Sequence, residues 1–150
     1  DLLLSDPKWN PDWPLSETWH GQLVNINTPV CVIVSTHNCV RYIAKQLDSL
    51  LGQSWPCCIY VFDDVSTDGT VELIQSNYLH HENLHLILNK KNVGNVKNIE
   101  KGIKTAYDLG AQHIALCSQG EVWDSRRIEE MGNVLLVAKF GQPMLVFSDL

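Results

Sequence analysis

From Pro29 onward, short unbroken apolar runs alternate with amphipathic stretches. VCVIV (30–34) is a brief β-branched run and predicts a buried strand. In VRYIAKQLDSLL (40–51), Val40, Ile43, Leu47, Leu50 and Leu51 fall on one face at helical spacing, which predicts a helix. The alternation continues with a strand at CIYVF (58–62) and a helix at TVELIQSNYL (70–79) with Asp68 as its N-cap. LHLIL (84–88) predicts a third strand, and NVKNIEKGIKTAYDLG (95–110) a third helix closed by Gly110. A fourth strand at HIALC (113–117), a helix within 124–140 and a fifth strand at MLVF (144–147) complete the pattern.

Strands that are apolar throughout, rather than at every second residue, belong to sheets covered on both faces. The expected class is α/β, with a mostly parallel sheet flanked by helices. Ligands of such sheets bind beyond the carboxyl ends of the strands, beside the point where strand order reverses. Residues 1–28 follow a different pattern. Trp9, Trp13 and Trp19 are interleaved with Pro7, Pro11 and Pro14, which predicts an extended arm or linker preceding a domain at 29–150. The chain starts at Asp1 and stops on the strand-like MLVFSDL, so a longer protein with further domains is expected.

Charge narrows the partners. The formal net charge is −6, which disfavours nucleic acid and anionic membranes. Lys90, Lys91, Lys97, Lys101 and Lys104 still form a local basic cluster suited to one phosphate-bearing ligand. No apolar run approaches the roughly 20 residues of a membrane span, and DLLLSDPKWN lacks the basic start of a signal peptide. The expected location is cytoplasmic or peripheral to a membrane. Five cysteines, an odd number without C-x-x-C spacing, predict reduced thiols rather than disulfides or a zinc site.

The chemistry should lie in the loops after the strands. The first loop is Ser35, Thr36, His37 and Asn38. It has no glycine, which disfavours a G-x-G-x-x-G dinucleotide site. These residues suit either a plain turn or a nucleobase site in which the His37 ring stacks on the base. The second loop is DDVSTDG (63–69). Asp63 and Asp64 are adjacent, so in extended backbone they point to opposite sides, one toward a ligand and one bracing the loop. A carboxylate facing a uracil-type N3–H or ribose hydroxyls makes a charge-assisted hydrogen bond. A receiver domain also pairs acids, but it needs an aspartate ending a later strand, and the third strand here ends in NKK. The third loop contains Asn92 and Gly94. It leads into a helix N-terminus that favours an anion, with Lys97 on its first turn; a solvated basic loop fits the same residues. The fourth, SQGEVW (118–123), carries one acid, Glu121.

STHN, FDDVSTDGT, NVGNVKN and ALCSQGEVW, in this order, resemble the loops of family 2 glycosyltransferases. Members read P-T-Y-N, V-D-D-x-S-x-D-x-T, N-x-G-x-x-K-N and A-L-x-D-Q-D-D-x-W at these places. NVGNVKNIE with SQGEVW is especially similar to the rhamnosyltransferase-like branch. The resemblance covers about 29–150 and implies the GT-A fold, a Rossmann-like, mostly parallel sheet. It implies transfer of a sugar from a UDP-, dTDP- or GDP-linked donor to a glycan or lipid-linked acceptor, as in surface polysaccharide synthesis. By the same resemblance Asp63 and Asp64 lie at the nucleotide, with Asp64 on the base. His37 takes the place of a stacking tyrosine, with Ser35, Asn38, Asn92 and Gly94 around it and Lys97 near the diphosphate.

The fourth loop departs from the family. Its D-x-D motif binds Mg²⁺ or Mn²⁺, and here the two aspartates become Ser118 and Gly120, with only Glu121 at the next position. Hard cations prefer carboxylate oxygens, so weak metal binding is expected. The catalytic base of the family lies after strand five, and no residue of this chain is assigned that role. A non-catalytic binding or scaffold domain of the same fold is the alternative expectation.

Overall fold

The computed structural model describes residues 30–111 and 113–136; the Trp-containing arm and the expected fifth strand lie outside them. The strands are β1 (Val30–Thr36), β2 (Cys57–Asp63), β3 (Leu84–Leu88) and β4 (Ile114–Cys117). They are parallel and stand in the order β3-β2-β1-β4. Helices α1 (Ile43–Leu51), α2 (Thr70–Asn77), α3 (Asn95–Asp108) and α4 (Arg127–Leu136) alternate with them.

In β1 and β2, buried along their whole length, the continuous apolar runs have the expected cause; the edge strands β3 and β4 are covered less completely, and Ile114 and Leu116 leave one face of β4 exposed. Val32, Val34, Ile59 and Val61 turn one way, onto Ile43, Leu47 and Leu50 of α1, Ile74 of α2 and Ile128 of α4. Cys31, Ile33, Tyr60 and Phe62 turn the other way, into a second core that includes Ala106 of α3. α3 lies very close to the sheet. A Cβ on Gly102 would come within 2.4 Å of Ile33 Cγ2 and 3.2 Å of Phe62 Cε2, so only glycine permits this approach.

Several boundaries differ from the sequence expectation, for local reasons. Asp68 is not the N-cap of α2; Gly69 is, in a left-handed conformation at φ 95°. Asp68 Oδ1 accepts from the Thr70 N–H (3.1 Å), while Oδ2 accepts from the Val40 N–H (3.0 Å). This bond helps hold Val40 in a turn, so α1 begins at Ile43 rather than at 40. The helix expected within 124–140 is α4, which begins at Arg127 after a turn in which Asp124 Oδ1 accepts from the Arg126 N–H (2.9 Å). Gly110 does close α3 as expected: the helix ends at Asp108, Leu109 is its C-cap, and Gly110 follows in a left-handed conformation at φ 82°. The N–H groups of Gly110 and Ala111 donate to the carbonyls of Tyr107 and Ala106 (both 2.9 Å), a Schellman end.

From β1 the chain steps outward to β2 and β3, then crosses back over the sheet by α3 to β4 on the far side of β1. Strand order therefore reverses between β1 and β4, and their carboxyl-end loops diverge to leave a crevice. Among the described residues no helix is long and apolar enough to cross a membrane.

Candidate functional site

The two adjacent aspartates divide their work as the strand geometry predicts. Asp63 ends β2 and is buried. Its Oδ1 accepts from the hydroxyls of Thr36 (3.1 Å) and Ser66 (2.5 Å), and its Oδ2 from the Ser66 N–H (2.8 Å). It braces the loop after β2 against β1. Asp64 points to the α3 side. Its Oδ1 accepts from Asn89 Nδ2 (2.9 Å) and the Val93 N–H (2.8 Å), and its Oδ2 from the Gly94 N–H (2.8 Å). The anion at the N-terminus of α3 is thus the protein's own carboxylate.

Behind Asp64 runs a polar network that sequence reading did not single out. Lys101 Nζ donates to Asn89 Oδ1 (2.6 Å), and Asn89 Nδ2 also donates to Asn98 Oδ1 (2.8 Å). Asn98 Nδ2 donates to Ser35 Oγ (2.8 Å) and to the Phe62 carbonyl (2.7 Å). Asn98 is fully buried, on the same face of α3 as Gly102 and Ala106. A polar residue on that buried face was the available signal. Burial alone would raise the Asp64 pKa. Hydrogen bonds from Asn89, Val93 and Gly94, with the nearby His37, outweigh it and hold the carboxyl below its ordinary value. Asp64 is therefore ionised at neutral pH and can only accept hydrogen bonds.

His37 and Asn38 form the rim. His37 Nδ1 lies 2.8 Å from the Asp64 carbonyl oxygen, and Asn38 Nδ2 lies 3.1 Å from Nε2. These partners assign the Nδ1–H tautomer, with Nε2 accepting. Asn38 takes a left-handed backbone (φ 50°), and its Oδ1 accepts from the Thr67 N–H (2.8 Å). Val65 is also left-handed (φ 63°), an uncommon conformation for a β-branched residue.

The loop after β4 is held from beneath by Gln46, another residue that sequence reading passed over. Gln46 sits one turn after Ile43 on the buried face of α1 and is fully buried. Its Nε2 donates to the Ser118 carbonyl (2.7 Å), and its Oε1 accepts from the Gly120 N–H (3.1 Å). Gln119, at the tip, accepts from the His37 N–H through Oε1 (3.1 Å). Glu121 turns inward, its Oε2 accepting from Trp123 Nε1 (3.0 Å) and the Ser118 N–H (3.2 Å).

These loops enclose a cleft of about 440 Å³. Ile33, Ile99 and Leu116 supply apolar walls, and Ser35, His37, Asp64, Asn92, Gly94 and Ser118 polar ones, with Asn95 and Gln119. Five of the eight residues expected at a nucleotide thus share one cavity. Asn38 and Asp63 support its walls without lining it. Lys97 is exposed on the first turn of α3 and is not part of the lining. The donors near β4 do not suit a divalent cation. Gly120 has no side chain, Ser118 offers a neutral hydroxyl, and Glu121 is already bonded to the loop. Among the described residues no cluster of three acidic, histidine or cysteine side chains could hold a metal.

Known proteins resemble this chain in sequence and in fold. The family described as Glycosyl transferase family 2 matches residues 31–131. EpsE of Bacillus subtilis, named as a glycosyltransferase, is 35% identical over 71 residues, covering 46% of this chain and 26% of EpsE. TuaG of the same organism, named for teichuronic acid biosynthesis, is 27% identical over 109 residues, covering 72% of this chain and 42% of TuaG. This chain thus spans about a quarter of the length of EpsE and about two fifths of that of TuaG. The structure of S. aureus TarS in complex with UDP-GlcNAc superposes with a TM-score of 0.62. It covers 72% of this chain and 31% of TarS at 23% identity, a likeness of fold, and that fold is GT-A. The matched family spans all four strands and the loops that form the cleft, and the chain belongs to glycosyl transferase family 2.

Proposed function

We propose that residues 29–150 are the nucleotide-sugar-binding half of an inverting glycosyltransferase, preceded by an arm at 1–28. The whole protein would move a sugar from a nucleotide diphosphate donor to a hydroxyl of a glycan or lipid-linked acceptor. The NVGNVKNIE and SQGEVW loops support a place in the rhamnosyltransferase-like branch. One observation carries the reading: the ionised Asp64 carboxylate lines a cleft at the β1/β4 switch point.

A carboxylate presents about four lone-pair sites. Three donors already reach Asp64, with the Val93 N–H shared between Oδ1 (2.8 Å) and Oδ2 (3.1 Å), so an incoming donor would take the place of the longer half of that shared bond. The incoming group must donate a hydrogen bond. Uracil and thymine do so through N3–H and guanine through N1–H, whereas cytosine and adenine present bare acceptor nitrogens there. The His37 ring would pack against the base and Ser35 would bond its edge. Lys97, exposed nearby, would reach a diphosphate by moving its flexible side chain. Buried thiols without disulfides fit a cytoplasmic or membrane-peripheral location.

The replaced acids at Ser118 and Gly120 support a second reading, a donor-binding domain that does not catalyse. Calorimetry with UDP, dTDP, GDP, CDP and ADP, with and without Mn²⁺, tests both. Binding of the first three nucleotides over CDP and ADP supports the cleft as a nucleotide site, and binding of none contradicts it. The double change Ser118→Asp with Gly120→Asp should then make binding Mn²⁺-dependent. The added Cβ at 120 meets nothing within 4 Å, and aspartate tolerates φ 83° better than most residues. Metal dependence in the wild type would contradict the loss of the D-x-D ligands.

A further inference from the structure

We infer that Gln46 and Gln119 form a positioning relay, which sets the nucleotide cleft from the buried side of the sheet. The inference rests on the proposed nucleotide site for its purpose, but not for its geometry.

Gln46 lies on the apolar face of α1, between Ile43 and Leu50, where methionine or leucine would fill similar space. Burying an amide there is costly unless both its ends are bonded. Both ends are bonded, and the partners are loop backbone. Nε2 donates to the Ser118 carbonyl (2.7 Å) and contacts Cys117 Sγ (3.0 Å), while Oε1 accepts from the Gly120 N–H (3.1 Å). These bonds span the loop's tip. Gly120 itself needs φ 83°, so the fold holds this segment in one defined turn.

The held tip is Gln119, and it does not end the relay. Its Oε1 accepts from the His37 N–H at 3.1 Å, across the crevice between the β4 and β1 loops. His37 in turn donates from Nδ1 to the Asp64 carbonyl at 2.8 Å. A buried side chain of α1 is thus connected, through two amides, to the backbone of residues that line the cleft. Neither glutamine is charged or nucleophilic. Their function is to fix where His37 and Ser118 stand relative to Asp64.

The test is made on the full 150-residue chain. In the wild type, amide hydrogen exchange should find the Gly120 and His37 N–H groups protected, and exchange at the unprotected rate overturns the relay. In Gln46→Met, which keeps the volume, the ¹H–¹⁵N resonance of His37 should move although Gln46 does not touch it. Gln119→Ala should move it in the same direction. Central residues of β2 should stay in place in both variants, which a general loss of packing would not allow. UDP affinity should fall about tenfold in each variant, and hardly further in the double variant, because both act through one connection. An unmoved His37 resonance in Gln46→Met, or additive losses of affinity, overturns the proposal. If Gln46→Met fails to fold, Gln46→Glu keeps the acceptor for Gly120 and removes the donor to Ser118, and the same His37 shift is expected. If the wild type binds no nucleotide but the His37 shifts appear, the relay stands and the nucleotide reading fails.

Discussion

Replacing Asp64 with asparagine changes almost no volume and removes one charge, so it isolates the carboxylate that organises the cleft. Asp64 is 2% exposed, and its two oxygens receive the donors of Asn89, Val93 and Gly94. An asparagine must place its NH₂ at one of those oxygens. At Oδ1 it would face Asn89 Nδ2, and at Oδ2 the Gly94 N–H. Either way a donor meets a donor, and the remaining bonds lose their charge assistance. Hydrogen bonds to charged groups contribute roughly 1.5–3 kcal/mol each, and a stranded buried donor costs a similar amount. Because Asp64 borders an open cleft, water screening favours the low end, and Asp64→Asn should destabilise the fold by about 2 kcal/mol at pH 7.

The pH dependence follows from the same bonds. The Asp64 carboxyl is held below its ordinary value in the folded chain. Its contribution is present above the unfolded pKa, roughly 3.9, and is lost as pH falls through the lower folded value. The gap between wild type and Asp64→Asn should therefore be full at pH 7 and shrink below about pH 4. Urea unfolding followed by tryptophan fluorescence reads this, since Trp55 and Trp123 are buried in the core. Equal stability at pH 7, or a gap that does not narrow in acid, would refute the assignment of these bonds.

Three further outcomes follow. Gly102→Ala places a Cβ 2.4 Å from Ile33 Cγ2 and should lower stability by about 1–3 kcal/mol, read as a fall in melting temperature. Val65→Gly relieves a left-handed β-branched residue that is 37% exposed, and should raise stability by about 0.5–1 kcal/mol after the entropy cost of glycine; a lower melting temperature contradicts that strain. Burial raises the thiols of Cys31, Cys57 and Cys117 to about 12 and those of Cys39 and Cys58 to about 11. All five should resist alkylation at pH 8 in the native protein and react in urea.

The fold was legible because its signals are repeated and local. VCVIV and CIYVF are apolar throughout and LHLIL is so but for His85, and each is followed by a segment of helical spacing. The division between Asp63 and Asp64 was legible for the same reason, since alternation along a strand is a fixed geometric property. Errors fell where a side chain bonds a distant backbone group. Nothing near Asp68 announces that its carboxylate reaches Val40, so both the start of α1 and the cap of α2 were misplaced. Gln46 and Asn98 were passed over because polar residues on a helix are usually solvated. Only their phase, one turn from Ile43 and from Gly102 respectively, marks them as buried. Glu121 was the acid left for a metal, yet its bonds to Trp123 and Ser118 depend on a loop shape no local pattern specifies.

The location of the nucleotide cleft is the central claim, and titrating ¹⁵N-labelled protein with UDP tests it most directly. The largest amide shifts are expected at Ser35, His37, Asp64, Asn92, Gly94 and Ser118, with the amides of α2 unmoved. Shifts centred elsewhere, or a spectrum that UDP leaves unchanged while dTDP and GDP also fail to alter it, would contradict the account.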